Sequence, residues 1–160
     1  MKNFISTQDW SRSELEDLLA EADQLKGDPI QPRLQDKTVG LIFFNPSLRT
    51  RTSFEVGATE LGAHAVVLEP GRGAWPIEFD EGAVMDGEAE EHIIEAARVL
   101  SRYCDLLAIR AFPEFDDWEL DRRDRVIRNF AKYATVPVVN METIEHPCQE
   151  MRLMQTIREQ

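Results

Sequence analysis

Phe43-Phe44-Asn45-Pro46-Ser47-Leu48-Arg49-Thr50-Arg51-Thr52-Ser53-Phe54-Glu55 is the stretch on which the reading of the fold turns. Ahead of it, Thr38-Val39-Gly40-Leu41-Ile42-Phe43-Phe44 is a nearly unbroken apolar run, the pattern of a strand buried on both faces in a parallel sheet. Behind it, Phe54, Ala58 and Leu61 recur at helical spacing. Between the two, Asn45-Pro46 forces a turn, and Ser47 stands where a helix N-cap belongs. The unit is a strand, a tight turn and a helix start.

That helix start carries a conflict. Unpaired N–H groups leave roughly half a positive charge at a helix N-terminus, so its first turn favours Asp or Glu. Here it holds Arg49 and Arg51, each unfavourable by about 0.3–1 kcal/mol in that field. A bound anion removes the conflict. Free N–H groups, the hydroxyls of Ser47 and Thr50 and two guanidiniums describe a cradle for a phosphate or a carboxylate. The plainer alternative is a solvated basic helix end that tolerates its arginines.

Outward from this turn, Trp10, Leu15, Leu18, Leu19, Ala22 and Leu25 line one face of a first helix over residues 7–26, capped by Thr7 or Ser11 and stopped at Gly27-Asp28-Pro29. Gly62 ends the second helix, and His64-Ala65-Val66-Val67-Leu68 is a second strand. Residues 69–91 form a long loop centred on Trp75. A third helix over 90–102 leads into the buried strand Leu106-Leu107-Ala108-Ile109, with Arg110 at its carboxyl end. Residues 116–132 read as one highly charged helix, and Val136-Pro137-Val138-Val139-Asn140 as the fourth strand. The last segment, from Pro147 to Gln160, is helical with Pro147 at its first position. The alternation predicts an α/β fold: a doubly wound, four-stranded parallel sheet with helices on both faces.

Three polar clusters follow strands: Ser47 to Arg51, Arg110, and His146 to Gln149. A doubly wound sheet collects such positions at one rim, where ligands bind. His146 and Gln149, three apart on a first helical turn, share a face and make a plausible substrate clamp. His64, His92 and His146 have no metal-ligand spacing, and no Gly-rich nucleotide loop is present, so neither metal nor cofactor is expected. Cys148 lies inside the last cluster, but no base partner marks it as a nucleophile.

The 160 residues suit one domain with a single core, and 42% hydrophobic with 30% charged residues are ordinary for a soluble protein. A net charge of −12 argues against nucleic acid and anionic membranes as partners. It also opposes an anionic ligand, but screening over about 8 Å at physiological salt leaves the decision to local arginines. Met1-Lys2-Asn3-Phe4 starts no signal peptide, and Cys104 and Cys148 form no disulfide framework, so the expected compartment is the cytoplasm.

Ser47-Leu48-Arg49-Thr50-Arg51 resembles the Ser-x-Arg-Thr-Arg carbamoyl-phosphate motif of the aspartate and ornithine transcarbamoylases, and His146-Pro147-Cys148-Gln149 resembles their His-Pro-x-Gln. Phe44-Asn45-Pro46, Ala74-Trp75-Pro76-Ile77-Glu78-Phe79, Val84-Met85-Asp86-Gly87 and Val139-Asn140-Met141-Glu142-Thr143 resemble the N-acetylornithine branch of that family. The resemblance implies that Ser47, Arg49, Thr50 and the backbone at Leu48 hold phosphate, with Arg51 bracing the loop as much as touching ligand. It implies further that Arg110, His146 and Thr50 polarise the carbonyl oxygen, and that Gln149 accepts from the carbamoyl NH2. Trp75 would cross to complete a neighbouring subunit's site in a homotrimer, and Glu142 and Glu90 would help recognise N-acetylornithine. On the same resemblance, residues 1–160 are the carbamoyl-phosphate-binding domain, and the amino-acid-binding domain that follows it in the family is absent. The expected function is then the carbamoyl-phosphate half of an arginine-biosynthetic carbamoyltransferase, inactive alone. The alternatives are a non-catalytic assembly module that forms or joins the family trimer, or a destabilised remnant.

Overall fold

The expected alternation folds into a four-stranded parallel sheet in the computed structural model, which describes residues 2–80 and 82–160. In chain order the elements are α1 (Arg12–Gly27), β1 (Thr38–Phe43), α2 (Arg49–Glu60), β2 (His64–Leu68), β3 (Ile77–Glu78) and β4 (Glu91–His92). There follow α3 (Ile93–Tyr103), β5 (Leu106–Arg110), α4 (Trp118–Asp121), α5 (Arg125–Tyr133), β6 (Val138–Glu142) and α6 (Pro147–Arg158). The sheet order is β2-β1-β5-β6, so the apolar run of β1 is central and covered on both faces.

Alternation along β1 divides the core. Val39, Leu41 and Phe43 join Ala58 of α2, Ala108 and Met141 on one face, whereas Ile42 joins Ile93 and Ala97 of α3 and Ile127 and Phe130 of α5 on the other. Gly40 sits where a Cβ would lie 2.9 Å from Leu107 Cδ2 and 3.0 Å from Cys104 Sγ, so a larger residue would force these buried side chains to shift. Gly62, at φ +84°, ends α2 in the left-handed conformation.

Four details differ from the expectation. The first helix begins at Arg12, because Ser11 and Glu14 form a reciprocal capping box; Trp10 lies before it, edge-on to Phe4 at 5.5 Å. The fourth strand is shifted two residues onward. Pro137 cannot donate to a ladder and stays at its mouth, while pairing runs on to Glu142. Residues 116–132 form two helices rather than one, broken at Asp124, whose φ of +46° lets its buried carboxylate accept from Thr143 Oγ1 at 2.5 Å. The long loop is tied down by the parallel pair β3–β4, and Phe79 meets Phe44 edge-on at 5.5 Å. Met1 and Glu81, which fall within stretches read above, lie outside the described residues.

The N-terminal strap covers the outer edge of β6. Phe4 N–H donates to Val138 O at 2.9 Å, and Asn140 N–H donates to Phe4 O at 2.8 Å. This edge carries the site's last two elements, so its fixation bears on their placement.

Candidate functional site

The turn after β1 is capped as the residues suggested. Ser47 Oγ accepts the N–H of Thr50 at 3.1 Å, while regular helix begins at Arg49. The N–H groups of Leu48 and Arg49 take no partner among the described residues, as first-turn donors do when no side chain reaches them. The two arginines part company. Arg49 lines an open cleft and has no ion pair among the described residues. Arg51 lies outside that lining, its Nε 3.4 Å from Glu55 Oε1 and its Nη1 3.3 Å from Glu69 Oε1. These contacts tie Arg51 to its own helix and to Glu69 at the start of the loop that carries Trp75.

Arg110 closes β5 and is 8% exposed. Its Nε and Nη2 both lie 3.0 Å from Glu142 Oε2, its Nη1 donates to Pro46 O at 2.6 Å, and its guanidinium lies 4.5 Å from the centre of the Phe112 ring. Glu142 ends β6 directly opposite, at a register irregularity between Ile109 and Arg110. The same Glu142 oxygen is 3.8 Å from His146 Nε2. His146 immediately precedes Pro147 at the start of α6, and its Nδ1 is buried without a partner among the described residues.

The turn between β6 and α6 is held from behind by a buried network. Asn140 Nδ2 donates to Ile5 O at 3.0 Å and to Thr143 Oγ1 at 2.9 Å, and the Thr143 hydroxyl in turn donates to Asp124 Oδ2. Burial raises the Asp124 carboxyl above the usual carboxylate range, against the opposing bond from Thr143. Asn140, Thr143 and Asp124 were not singled out as site residues, since nothing local in the sequence pairs positions 124 and 143. Arg152 was missed as well. It lines the cleft one turn beyond Gln149, and that i, i+3 spacing was available as a signal.

These segments enclose one cleft of about 1040 Å³ at the carboxyl edge of the sheet. Ser47, Leu48, Arg49, Thr50, Arg110, Glu142, His146 and Gln149 all line it. Trp75 does not; it is 63% exposed and borders a separate groove of about 580 Å³ with Leu68, Ile77, Val99 and Leu100. Within one chain, therefore, Trp75 is not brought to the Ser47 turn. Among the described residues, no cluster of His, Cys, Asp or Glu is placed to hold a metal ion, and no helix is long and apolar enough to cross a membrane.

Cys148 also lines the cleft, but its thiol donates to Asn140 O at 3.4 Å and burial pushes its pKa up to about 11. Burial raises Cys104 too. Both thiols are therefore expected to resist iodoacetamide at pH 7.5 in native protein and to alkylate fully in urea, as read by mass spectrometry. Rapid native labelling at Cys148 would contradict this placement. Chemically, the cleft offers an anion the amides of Leu48 and Arg49 and the Arg49 guanidinium, all without partners among the described residues, and offers a polarised oxygen Arg110 with His146.

The carbamoyl-phosphate-binding domain model of the aspartate/ornithine carbamoyltransferases matches residues 2–159. The chain is 61% identical over 151 residues to an N-acetylornithine carbamoyltransferase of Xanthomonas campestris pv. campestris, covering 94% of this chain and 44% of that protein. It is 56% identical to one from Xylella fastidiosa (strain Temecula1), covering 99% and 47%, and 38% identical to an N-succinylornithine carbamoyltransferase of Bacteroides thetaiotaomicron, covering 99% and 50%. Among solved structures, acetylornithine transcarbamylase complexed with acetylcitrulline superposes with a TM-score of 0.97 at 58% identity, covering 99% of this chain and 48% of that one. A mutant N-acetyl-L-ornithine transcarbamylase complexed with carbamyl phosphate and N-succinyl-L-norvaline gives the same values. The chain spans about half the length of the curated relatives it matches.

Proposed function

This chain belongs to the aspartate/ornithine carbamoyltransferase family, and from that premise we propose that its cleft binds carbamoyl phosphate for transfer of the carbamoyl group to the side-chain amine of N-acetylornithine. Phosphate sits at the first turn of α2, against Ser47, the amides of Leu48 and Arg49, the Arg49 guanidinium and Thr50. The carbonyl oxygen faces Arg110, His146 and Thr50, and the carbamoyl NH2 donates to Gln149. The amine attacks the carbonyl carbon, a C–N bond forms, and the C–O bond to phosphate breaks with its electron pair leaving on phosphate. The surplus amine proton departs with the products. Little covalent work falls to the protein, so orientation and donors aimed at the developing oxyanion supply the catalysis.

The observation that carries this reading is the convergence of the Ser47 turn, Arg110 and the His146–Gln149 turn, far apart in sequence, on one cleft. The relative solved with carbamyl phosphate supports it. Titration calorimetry tests it. Carbamoyl phosphate should release heat on binding, and Arg49→Ala should lose about 1.5–3 kcal/mol, or about 10- to 150-fold in affinity. No heat with the unaltered protein, or equal affinity in the variant, would refute the assignment.

The whole transfer, in the cytoplasm and in arginine biosynthesis, is proposed for the full-length assembly; to this chain we assign the half that binds and polarises carbamoyl phosphate. We further propose that the assembly is a homotrimer in which Trp75 reaches the neighbouring cleft and Glu142 takes part in N-acetylornithine recognition. The exposure of Leu48 (82%) and Trp75 (63%) favours such an assembly, and would equally serve a non-catalytic module. Light scattering distinguishes them when combined with calorimetry: trimer with ligand heat supports the binding half, and trimer without heat supports the module.

A further inference from the structure

We infer that Glu142 is a specificity-determining residue that cancels the charge of Arg110, so that Arg110 receives the neutral carbonyl end of the ligand and a second phosphoryl group is excluded. This rests on the carbamoyl-phosphate reading above. A guanidinium attracts dianionic phosphate through its charge and a carbonyl oxygen through its N–H donors, and the cleft separates the two properties between its arginines. Arg49 has no carboxylate partner among the described residues and keeps its full charge beside the free amides of α2. Arg110 is held along one edge by Glu142 Oε2, 3.0 Å from both Nε and Nη2, while Nη1 is held by Pro46 O and one face lies against Phe112.

Side-chain exposures of 10% for Arg110 and 24% for Glu142 leave little water to screen the pair. Its net charge is zero, yet a guanidinium with five N–H donors is not exhausted by these contacts, and the remainder still donate. A carbonyl oxygen placed there gains hydrogen bonds with no anion to repel. A phosphoryl group placed there meets the Glu142 carboxylate, which also stands 3.8 Å from His146 Nε2, the other donor at that end. The arrangement therefore fixes ligand polarity, with phosphate toward Arg49 and carbonyl toward Arg110. It rejects ligands that carry phosphate at both ends.

Inorganic pyrophosphate is the discriminating probe. By calorimetry, the unaltered protein should bind carbamoyl phosphate more tightly than pyrophosphate. Glu142→Gln keeps the shape and an acceptor oxygen for Arg110 but removes the charge. It should tighten pyrophosphate by about tenfold or more relative to carbamoyl phosphate, whatever the change in carbamoyl-phosphate affinity itself. Glu150→Gln removes a carboxylate outside the cleft lining, one that accepts from Thr7, and should leave both ligands unchanged. An unchanged ratio of the two affinities in Glu142→Gln, or the same gain in Glu150→Gln, would each overturn the inference. If Glu142→Gln does not fold, equal affinity of the unaltered protein for the two ligands would overturn it instead. Absence of heat with carbamoyl phosphate would sink the underlying reading, which is a separate outcome.

Discussion

Arg110→Met is expected to abolish measurable carbamoyl-phosphate binding and, separately, to destabilise the fold by about 2–4 kcal/mol. The two losses have different causes. Binding fails because the donor aimed at the carbonyl oxygen is gone. Stability falls because Glu142, 24% exposed, is left as a carboxylate without its cation, and Pro46 O loses the donor that holds the Ser47 turn against β5. A double variant separates them. Arg110→Met with Glu142→Leu removes both charges, and apolar replacement of a buried pair is often neutral. It should recover most of the urea-unfolding free energy without recovering any calorimetric heat. If the single variant binds normally, Arg110 has no place in the site. If the double variant is no more stable than the single one, the loss does not come from a stranded charge.

Phe130→Ala should be the most damaging core substitution, costing about 3–5 kcal/mol and lowering Tm on the order of 10 °C. Phe130 is fully buried on α5 against the α3 face of the sheet, and its ring centre is 6.4 Å from that of Phe44. Phe44 opens the turn that leads to Ser47, so the cavity undermines the anion site as well as the core. Carbamoyl-phosphate affinity should weaken along with stability, measured at a temperature where the variant stays folded. Leu153→Ala on α6, where Leu153 is 49% exposed, is the contrast and should change stability by less than about 0.5 kcal/mol. Comparable losses in the two variants would mean that α5 is not the buried anchor described.

Much of this fold was legible without coordinates, because its cues are local. The apolar run 38–44 could be satisfied only by a strand covered on both sides, and Asn45-Pro46 with Ser47 specified a turn and a cap. The misplacements also have local causes that other contacts overrode. The 116–132 pattern is helical by periodicity, but the helix breaks where Asp124 adopts φ +46° and accepts from Thr143, a partner 19 residues away. The fourth strand runs on to Glu142 because β5 offers it a neighbour as far as Arg110.

By itself, then, the sequence determined the alternation of strands and helices, the capped turn and the gathering of Ser47, Arg110 and His146 at one rim, since periodicity, turn chemistry and strand polarity are properties of short segments. Only the tertiary structure decided which guanidiniums are free. Arg49 and Arg51 are both arginines two residues apart, yet one lines the cleft with no ion pair among the described residues and the other is paired with Glu55 and Glu69. Arg110 was assigned as a donor, but its tie to Glu142 depends on how β5 and β6 register across an irregularity. The Arg51–Glu55 pair has i, i+4 helix spacing and is a local pattern, but Arg51–Glu69 and Arg110–Glu142 join residues far apart in the chain over a few ångströms, and no local pattern encodes that distance.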